Sequence, residues 1–328
     1  MTARAAAHVL LAAAVSVAVG VDVNTATPTP VPSSAAFAVV ATTGRFDRVN
    51  PQVATQFAAA SRLAGAPQLS LTPANPGPGG VFWGKGGRKA CAGQVDTAGC
   101  AYDYGQRGVE SLLATLRTTA PATVNHRHQW WIDVEGQRDV TWNPTQRTLN
   151  AEVLRGVRDA LVASGVTSSV GIYTTSAIWR EVVAGTPAEV RAAADLGALP
   201  VWAVGGRDGS VRQARNVCVV PSPTGGPIVM GQSIAPAGAS TSTDVICPPR
   251  TLRPARMTAA GTAVVRGAAF PGSTVRLRVV QRGHVARAFT AKATRAGTWA
   301  VVVRHLAPRL KATATVRGGS TVFVPPAR

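Results

Sequence analysis

The order of apolar and polar positions in the first 250 residues predicts strands that alternate with helices. Residues 36–41 form a continuous apolar, β-branched run bounded by Thr42-Thr43-Gly44, which is typical of a strand buried on both faces. Residues 51–63 have a helical period with proline at the start, and residues 68–71 predict a second short strand. A strand, helix, strand order favours a parallel sheet.

The same alternation continues to about residue 249. Helices are predicted at residues 105–118, at 143–163 behind an Asn143-Pro144 cap, and at 178–183. Apolar runs predict further strands at residues 129–134, 170–173, 201–204, 228–233 and 243–246. Residues 36–249 are therefore predicted to form a (β/α)8-type, TIM-like barrel, with an open doubly wound sheet as the alternative.

A second domain is predicted after Pro248-Pro249. From residue 250 to residue 328, short alternating runs are separated by turns such as Pro271-Gly272, Arg282-Gly283 and Ala296-Gly297. Evenly spaced short strands indicate a small all-β, Ig-like sandwich. No catalytic group of residues is evident there, so we expect an accessory module.

The N-terminus resembles an export signal. Arg4 and His8 precede an apolar run over residues 9–21, which is too short for a bilayer span but suits a secretory signal. We expect a signal peptide over residues 1–26, with an uncleaved anchor as the alternative, and a Thr/Pro-rich linker over residues 27–35. The mature protein is then expected to be secreted or cell-wall associated, without a transmembrane segment.

Four cysteines in an exported chain indicate two disulfides. Pairing of nearest neighbours, Cys91 with Cys100 and Cys218 with Cys247, closes one loop in each region and is the preferred pattern among three. The sequence has neither a Cys-x-x-Cys motif nor a His pair at ligand spacing, so no metal site is predicted. A Gly-x-Gly-x-x-Gly motif after the first strand is also missing, and no cofactor is expected.

Positive charge is concentrated near the C-terminus. The net charge is +19, and residues 250–328 contain 15 Lys or Arg without any Asp or Glu. A basic surface outside the cell attracts polyanions such as phosphorylated wall polymers, although general solubility would also explain the charge. No nucleic-acid-binding motif accompanies it, so a specific nucleic acid partner is not expected.

The most informative stretch is Gln129-Trp130-Trp131-Ile132-Asp133-Val134-Glu135-Gly136. Side chains alternate along a strand, so Asp133 and Glu135 face the same side. Two adjacent carboxyls repel one another, and one of them tends to keep its proton, which is the arrangement that general acid catalysis uses. The alternative is a solvated loop after a core strand.

These residues resemble glycoside hydrolase family 25, a group of cell-wall lysozymes with a (β/α)-barrel. The resemblance rests on Asp133-Val134-Glu135, Trp142, the following helix, and Gly171-Ile172-Tyr173-Thr174-Thr175 with Trp179. The chain also resembles a group of exported actinobacterial proteins of unassigned role, through Asn75-Pro76-Gly77, residues 100–105 and residues 130–135.

The resemblance implies roles for particular residues. Glu135 is expected to be the general acid, Asp133 its neighbour, and Asp244 the late aspartate of the family. Tyr173, Trp202, Gln232 and Trp130 are expected to contact the substrate, because aromatic faces stack against sugar rings. The substrate is then a cell-wall polysaccharide or peptidoglycan.

One departure from the family lies in the strand identified as the first. The family places an aspartate there within a Gly-x-Asp pattern, whereas residues 38–44 contain no acid, and Asp47 lies beyond the turn. A missing carboxylate would remove part of the electrostatic stabilisation of an oxocarbenium-like transition state. The alternative function is therefore a non-catalytic glycan-binding protein with a degenerate barrel and a basic attachment module.

Overall fold

The computed structural model describes residues 18–24, 31–87, 89, 91, 95–137, 140–236, 241–253, 262–280, 287–304, 311–316 and 319–323. Its larger part is a closed barrel of eight strands, here numbered in chain order. They are β1 (Val19–Val23), β2 (Phe37–Ala41), β3 (Gln68–Leu71), β4 (His128–Asp133), β5 (Thr167–Thr174), β6 (Val201–Val204), β7 (Ile228–Ser233) and β8 (Thr243–Ile246). The predicted closed α/β barrel is confirmed, and the open sheet is excluded.

Strands β1 to β7 run parallel around the barrel, and β8 is antiparallel to its neighbours β7 and β1. The connection between β7 and β8 covers only residues 234–242, which is too short for the crossover that a parallel pair needs. The expectation of a fully parallel (β/α)8 barrel is therefore wrong at the eighth strand.

Helices cover the outside of the barrel, and the two longest pack against each other. The helices are α1 (Val53–Ala60), α2 (Ala98–Thr119), α3 (Arg147–Ala163), α4 (Ser176–Val182), α5 (Pro187–Ala192), α6 (Ala194–Gly197) and α7 (Val211–Val217). Short 3-10 turns lie at Gly77–Gly79 and Pro121–Thr123, and Thr43–Arg45 pairs with Arg48–Val49 as a small hairpin. None of the helices among the described residues combines the length and apolar composition that a bilayer span requires.

The first strand lies earlier in the sequence than expected. β1 pairs with β8 through Gly20 and Asp244 and with β2 through Gly20 and Phe37, so it closes the barrel. The predicted barrel start at residue 36 is therefore wrong, because Val19–Val23 is part of the folded barrel and lies within the stretch predicted as a signal peptide. Residues 1–17 and 25–30 lie outside the described residues.

Large side chains fill the barrel interior. Phe37, Val39, Trp131, Trp202, Val229 and Met230 form one buried cluster. Glycines on neighbouring strands make room for the rings: a Cβ at Gly20 would lie 2.5 Å from the Phe37 ring, and one at Gly171 would lie 2.3 Å from the Trp131 ring. Large and small residues thus alternate between strands, as in other filled barrels.

Two disulfides join loops to the helical layer. Cys91 pairs with Cys100 in the first turn of α2, and Cys218, at the end of α7, pairs with Cys247 just after β8. The nearest-neighbour pairing predicted from the sequence is confirmed.

The C-terminal region forms two antiparallel sheets over a shared core. The strands are β9 (Arg250–Arg253), β10 (Ala263–Ala268), β11 (Thr274–Val280), β12 (Arg287–Lys292), β13 (Thr298–Val303), β14 (Lys311–Val316) and β15 (Gly319–Phe323). One sheet has the order β9-β10-β13 and the other β12-β11-β14-β15. Val265 and Trp299 from the first sheet and Val275 and Leu277 from the second share the core. That this pair of sheets is an Ig-like domain stays a prediction.

This region contacts the barrel at the end where the parallel strands begin. The Ser169 hydroxyl, near the start of β5, donates to the Arg295 carbonyl at 2.5 Å. Phe270 packs against the interior cluster that contains Val229, and a Cβ at Gly297 would lie 2.9 Å from Val229 Cγ1. The two sheets therefore lie opposite the carboxyl rim of the barrel.

The position of β1 can be tested by truncation. We expect a protein beginning at residue 18 to unfold cooperatively, whereas one beginning at residue 27 lacks a barrel strand and exposes the edges of β2 and β8. Circular dichroism and thermal unfolding of the two proteins provide the measurement. A cooperative transition at the same Tm for both would contradict the assignment of β1 to the barrel.

Candidate functional site

Asp22 on β1 lies at the carboxyl rim of the barrel and was not identified as a site residue from the sequence. It sits in the pattern Gly20-Val21-Asp22, beside Ser242, which hydrogen-bonds to its side chain. Burial of the carboxyl raises the pKa of Asp22 from 3.8 to about 6, against the lowering effect of hydrogen bonds from its own backbone and Ser242. The first barrel strand therefore does carry an acid, and the expectation that it lacks one is wrong.

Asp133 ends β4, and Glu135 follows two residues later. The Thr72 hydroxyl donates to Asp133 Oδ2 at 3.3 Å. The pKa of Asp133 is raised well above its usual value, first by burial and then by the negative charge of Glu135, to which it is hydrogen-bonded. The two carboxyls are thus neighbours, as their spacing in the sequence predicts.

Asp244 on β8 is fully buried between two other predicted site residues. The Trp202 indole donates to Asp244 Oδ1 at 2.9 Å, and Gln232 is its cross-strand neighbour on β7. Burial, followed by the negative charge of Asp22, raises the pKa of Asp244 well above its usual value. Asp244 is therefore predisposed to keep its proton and to act as a hydrogen-bond donor.

Tyr173 on β5 brings the acids into one group. Its hydroxyl donates to Gln232 Oε1 at 2.7 Å, and its ring lies on Trp202 with 4.3 Å between ring centroids. The pKa of Tyr173 is raised well above its usual value, first by burial and then by the negative charges of the four carboxyls. Those carboxyls belong to Asp22, Asp133, Glu135 and Asp244, and Asp133 is the cross-strand partner of Tyr173.

Several polar atoms in this group are buried without a hydrogen-bond partner. Among the described residues they include Asp22 Oδ1, Asp133 Oδ1, Asp244 Oδ2 and Gln232 Nε2. Buried polar groups in folded proteins are almost always paired with protein groups, ordered water or a ligand, so these atoms can form hydrogen bonds with water or with a bound molecule. A polyhydroxylated molecule provides both kinds of group.

Hydrogen bonds that involve buried side chains hold the loop that carries Glu135 in place. The Trp142 indole donates to the Glu135 carbonyl at 2.9 Å, and Trp142 is itself buried. Asn150 on α3, which is fully buried, donates to the carbonyls of Asn143 and Val182 and accepts from Asn75 Nδ2 at 2.8 Å. These bonds fix the loops after β3 and β4 on the helical layer, which keeps the acids in place.

Six of the seven predicted catalytic or substrate-contacting residues meet at this rim. Trp130 does not, because it points away from the barrel interior, is fully buried among the helices, and donates to the Val166 carbonyl at 3.3 Å. Its predicted contact with substrate is therefore wrong. Trp131, on the opposite face of β4, fills the interior beneath the site and contacts Trp202 with 5.8 Å between ring centroids.

No group of three or more His, Cys, Asp or Glu side chains within the described ranges is arranged to hold a metal ion. The rim contains a set of carboxyls whose pKa values differ, together with one phenol and one amide. This set can donate a proton and stabilise positive charge.

The sequence matches no protein-family model and no curated protein. Among solved structures, the chain is similar to the bacterial lysozyme from Streptomyces coelicolor, with 11% identity and a TM-score of 0.43 over 70% of this chain and 92% of that one. It is also similar to a muramidase from Acremonium alcalophilum, with 11% identity and a TM-score of 0.41 over 70% and 92%. A family GH25 lysozyme from Aspergillus fumigatus gives 10% identity and a TM-score of 0.40 over 70% and 94%.

The raised pKa of Asp22 predicts a pH dependence of stability. The folded protein holds this proton more tightly than the unfolded chain, so the stabilisation is complete below pH 3.8 and is lost as pH rises through about 6. Since Asp22→Asn cannot ionise, we expect its Tm to increase relative to wild type as pH rises across this window.

Thermal unfolding of both proteins across this pH range measures the effect. Glu181→Gln, which removes a charge from the exposed side of α4, is the control and should leave the slope unchanged. A constant Tm difference between Asp22→Asn and wild type across the window would contradict the prediction.

Proposed function

We propose that this protein is an exported glycoside hydrolase that cleaves a glycosidic bond in peptidoglycan or a related cell-wall glycan. The observation that carries the proposal is the group of acids beside Tyr173 at the rim: Asp133 is the cross-strand partner of Tyr173, and Tyr173 donates to Gln232, the cross-strand neighbour of Asp244. Active sites of such barrels are built at this rim. The family 25 resemblance of the Asp133-Val134-Glu135 motif supports the same reaction.

Glu135 is the general acid in this proposal. Burial and the neighbouring Glu135 raise the pKa of Asp133, so the two carboxyls share one proton at a pH where an isolated carboxyl has lost it. Glu135 is the member that lies beyond the strand, on the loop that Trp142 anchors. From there it can protonate the leaving glycosidic oxygen, while Asp133 orients the sugar.

Asp22 and Asp244 act on the developing positive charge. With a pKa of about 6, Asp22 is mostly ionised at neutral pH and can stabilise an oxocarbenium-like transition state. Asp244 favours its protonated form and, with Gln232 and Tyr173, can hold the sugar by hydrogen bonds. The acids thus divide into Asp22, which is ionised, Asp244, which favours its protonated form, and the pair of Asp133 and Glu135, which shares one proton.

The basic region is proposed to attach the protein to an anionic wall polymer. Arg276 and Lys292 are exposed on β11 and β12, and Thr290 and Thr274 are their respective cross-strand partners. Residues 250–328 contain no acid to neutralise these charges. Secretion to the wall is supported by the two disulfides, which persist in oxidising compartments.

Substitution of the acids tests the reaction. We expect Glu135→Gln to lower the release of reducing ends from purified cell wall by roughly 10²–10⁴-fold, because the proton donor is lost. Asp22→Asn should lower it by about 10²–10³-fold through loss of electrostatic stabilisation. Glu181→Gln is the matched control and should keep wild-type release. No release by the wild type, or equal release by Glu135→Gln, would overturn the enzymatic proposal.

The second candidate function is non-catalytic binding to the wall, and the charge of the C-terminal sheets favours it. In the full chain, we expect Arg276→Ser with Lys292→Ser to weaken wall binding at low salt and to reduce its salt dependence, because exposed charges are screened by salt. Cosedimentation with purified wall is the measurement. Arg212→Ser with Arg215→Ser, on the exposed side of α7, is the matched control. Wild-type binding that survives high salt unchanged would exclude an electrostatic module.

A further inference from the structure

A pocket of about 310 Å³ opens on the carboxyl side of the barrel, next to the acids but separate from them. Its walls come from the three loops that follow β2, β3 and β4, represented by Asp47, Gly79 and Thr141. Its volume lies at the lower end of the range for small-molecule sites, roughly 300–1,000 Å³. The pocket is therefore large enough for one ring-sized group.

Two of the walls continue directly from residues that contact or belong to the acidic cluster. Ala74 in the lining follows two residues after Thr72, which donates to Asp133. Gln137 in the lining follows two residues after Glu135. Because two residues span at most about 7 Å of extended chain, the pocket adjoins the place where the proposed reaction occurs.

The floor of the pocket is aromatic and preformed. Phe46 and Tyr104 are almost fully buried and lie 5.9 Å apart between ring centroids. Phe46 also rests on α2 at Gly108, where a Cβ would lie 2.2 Å from its ring. Substrate binding therefore does not have to order these rings.

The rim of the pocket is polar. Asp47, Gln137 and Thr141 are exposed and bring a carboxylate, an amide and a hydroxyl to the opening. A pyranose ring presents C–H groups on its faces and hydroxyls around its edge, which matches an apolar floor beneath a polar rim.

We propose that this pocket binds a further sugar unit of the same glycan chain, beyond the units held at the acids. This inference rests on the proposed function, since it takes its ligand class from the acidic site. The pocket then makes affinity depend on chain length, because only oligosaccharides long enough to extend from the acids reach it.

Gly79 provides a way to block the pocket without disturbing its walls. It lines the pocket, its φ is not in the left-handed region, and a Cβ placed on it meets no atom within 4 Å. Because Gly79 is in the lining and has open space around it, we expect a tryptophan at this position to cover the pocket, whereas an alanine leaves most of it open. Val219→Trp, which adds the same bulk to a side chain that is 78% exposed, is the matched control.

The experiment measures binding of peptide-free wall disaccharides, tetrasaccharides and hexasaccharides to the full chain by calorimetric titration. We expect wild type, Gly79→Ala and Val219→Trp to bind the longest oligosaccharide more tightly than the disaccharide. Gly79→Trp should lose about tenfold in affinity for the longest one, equivalent to about 1.4 kcal/mol, with the disaccharide unaffected.

Equal affinity of Gly79→Trp and wild type for every length would overturn the pocket assignment, whether or not the protein cleaves wall. A length effect that is present only when the peptide stem is attached would assign the pocket to the peptide and also overturn it. Length-dependent binding by a wild type that releases no reducing ends would instead remove the hydrolase proposal and leave the pocket in place.

Discussion

Closure of the barrel by β1 is the constraint on which the candidate site depends. β1 fills the gap between β2 and β8, and its register places Asp22 beside Ser242 while Gly20 faces Asp244. Without this strand, both neighbours would present unpaired backbone groups, and Asp244 would lose the charge that most raises its pKa after burial. The same pairing thus completes the fold and assembles the acids.

The buried carboxyls at the rim repel one another, and the surrounding structure keeps them close together. Buried carboxyls with raised pKa values and oxygen atoms without partners oppose folding at neutral pH. They are held by rigid neighbours, since the Trp202 indole donates to Asp244 and the Thr72 hydroxyl donates to Asp133. Beneath them, the tightly packed rings of the barrel interior leave little room for the site to relax.

The features predicted best from the sequence were those whose signal lies within a short stretch of residues. Asp133 and Glu135 were predictable because two acids directly follow a strongly apolar run, and the disulfides because each pair closes a short loop. Asp22 was missed because an apolar run of that length fits both an export signal and a buried strand, which periodicity cannot separate. The informative details were the charge directly after the run and the Gly-x-Asp pattern that includes it.

Other errors arose from information that lies outside the local sequence. Alternation places Trp130 and Trp131 on opposite faces of β4, but which face turns inward depends on pairing with β3 and β5. The direction of β8 could have been predicted, since residues 234–242 are too few for a crossover. The pocket beside the acids could not, because it arises only where loops from three separate strands meet.

The C-terminal sheets contact the barrel at the amino ends of its strands, which is the end opposite the acids. The end of the barrel that contacts the C-terminal sheets and the rim that carries the acids are separated by about the length of β5, roughly 26 Å at 3.3 Å per residue. If the basic end rests on an anionic layer, the cleft faces outward and cannot reach the layer beneath it. Such a geometry would confine cutting to strands above the anchoring layer and spare the material to which the protein is attached.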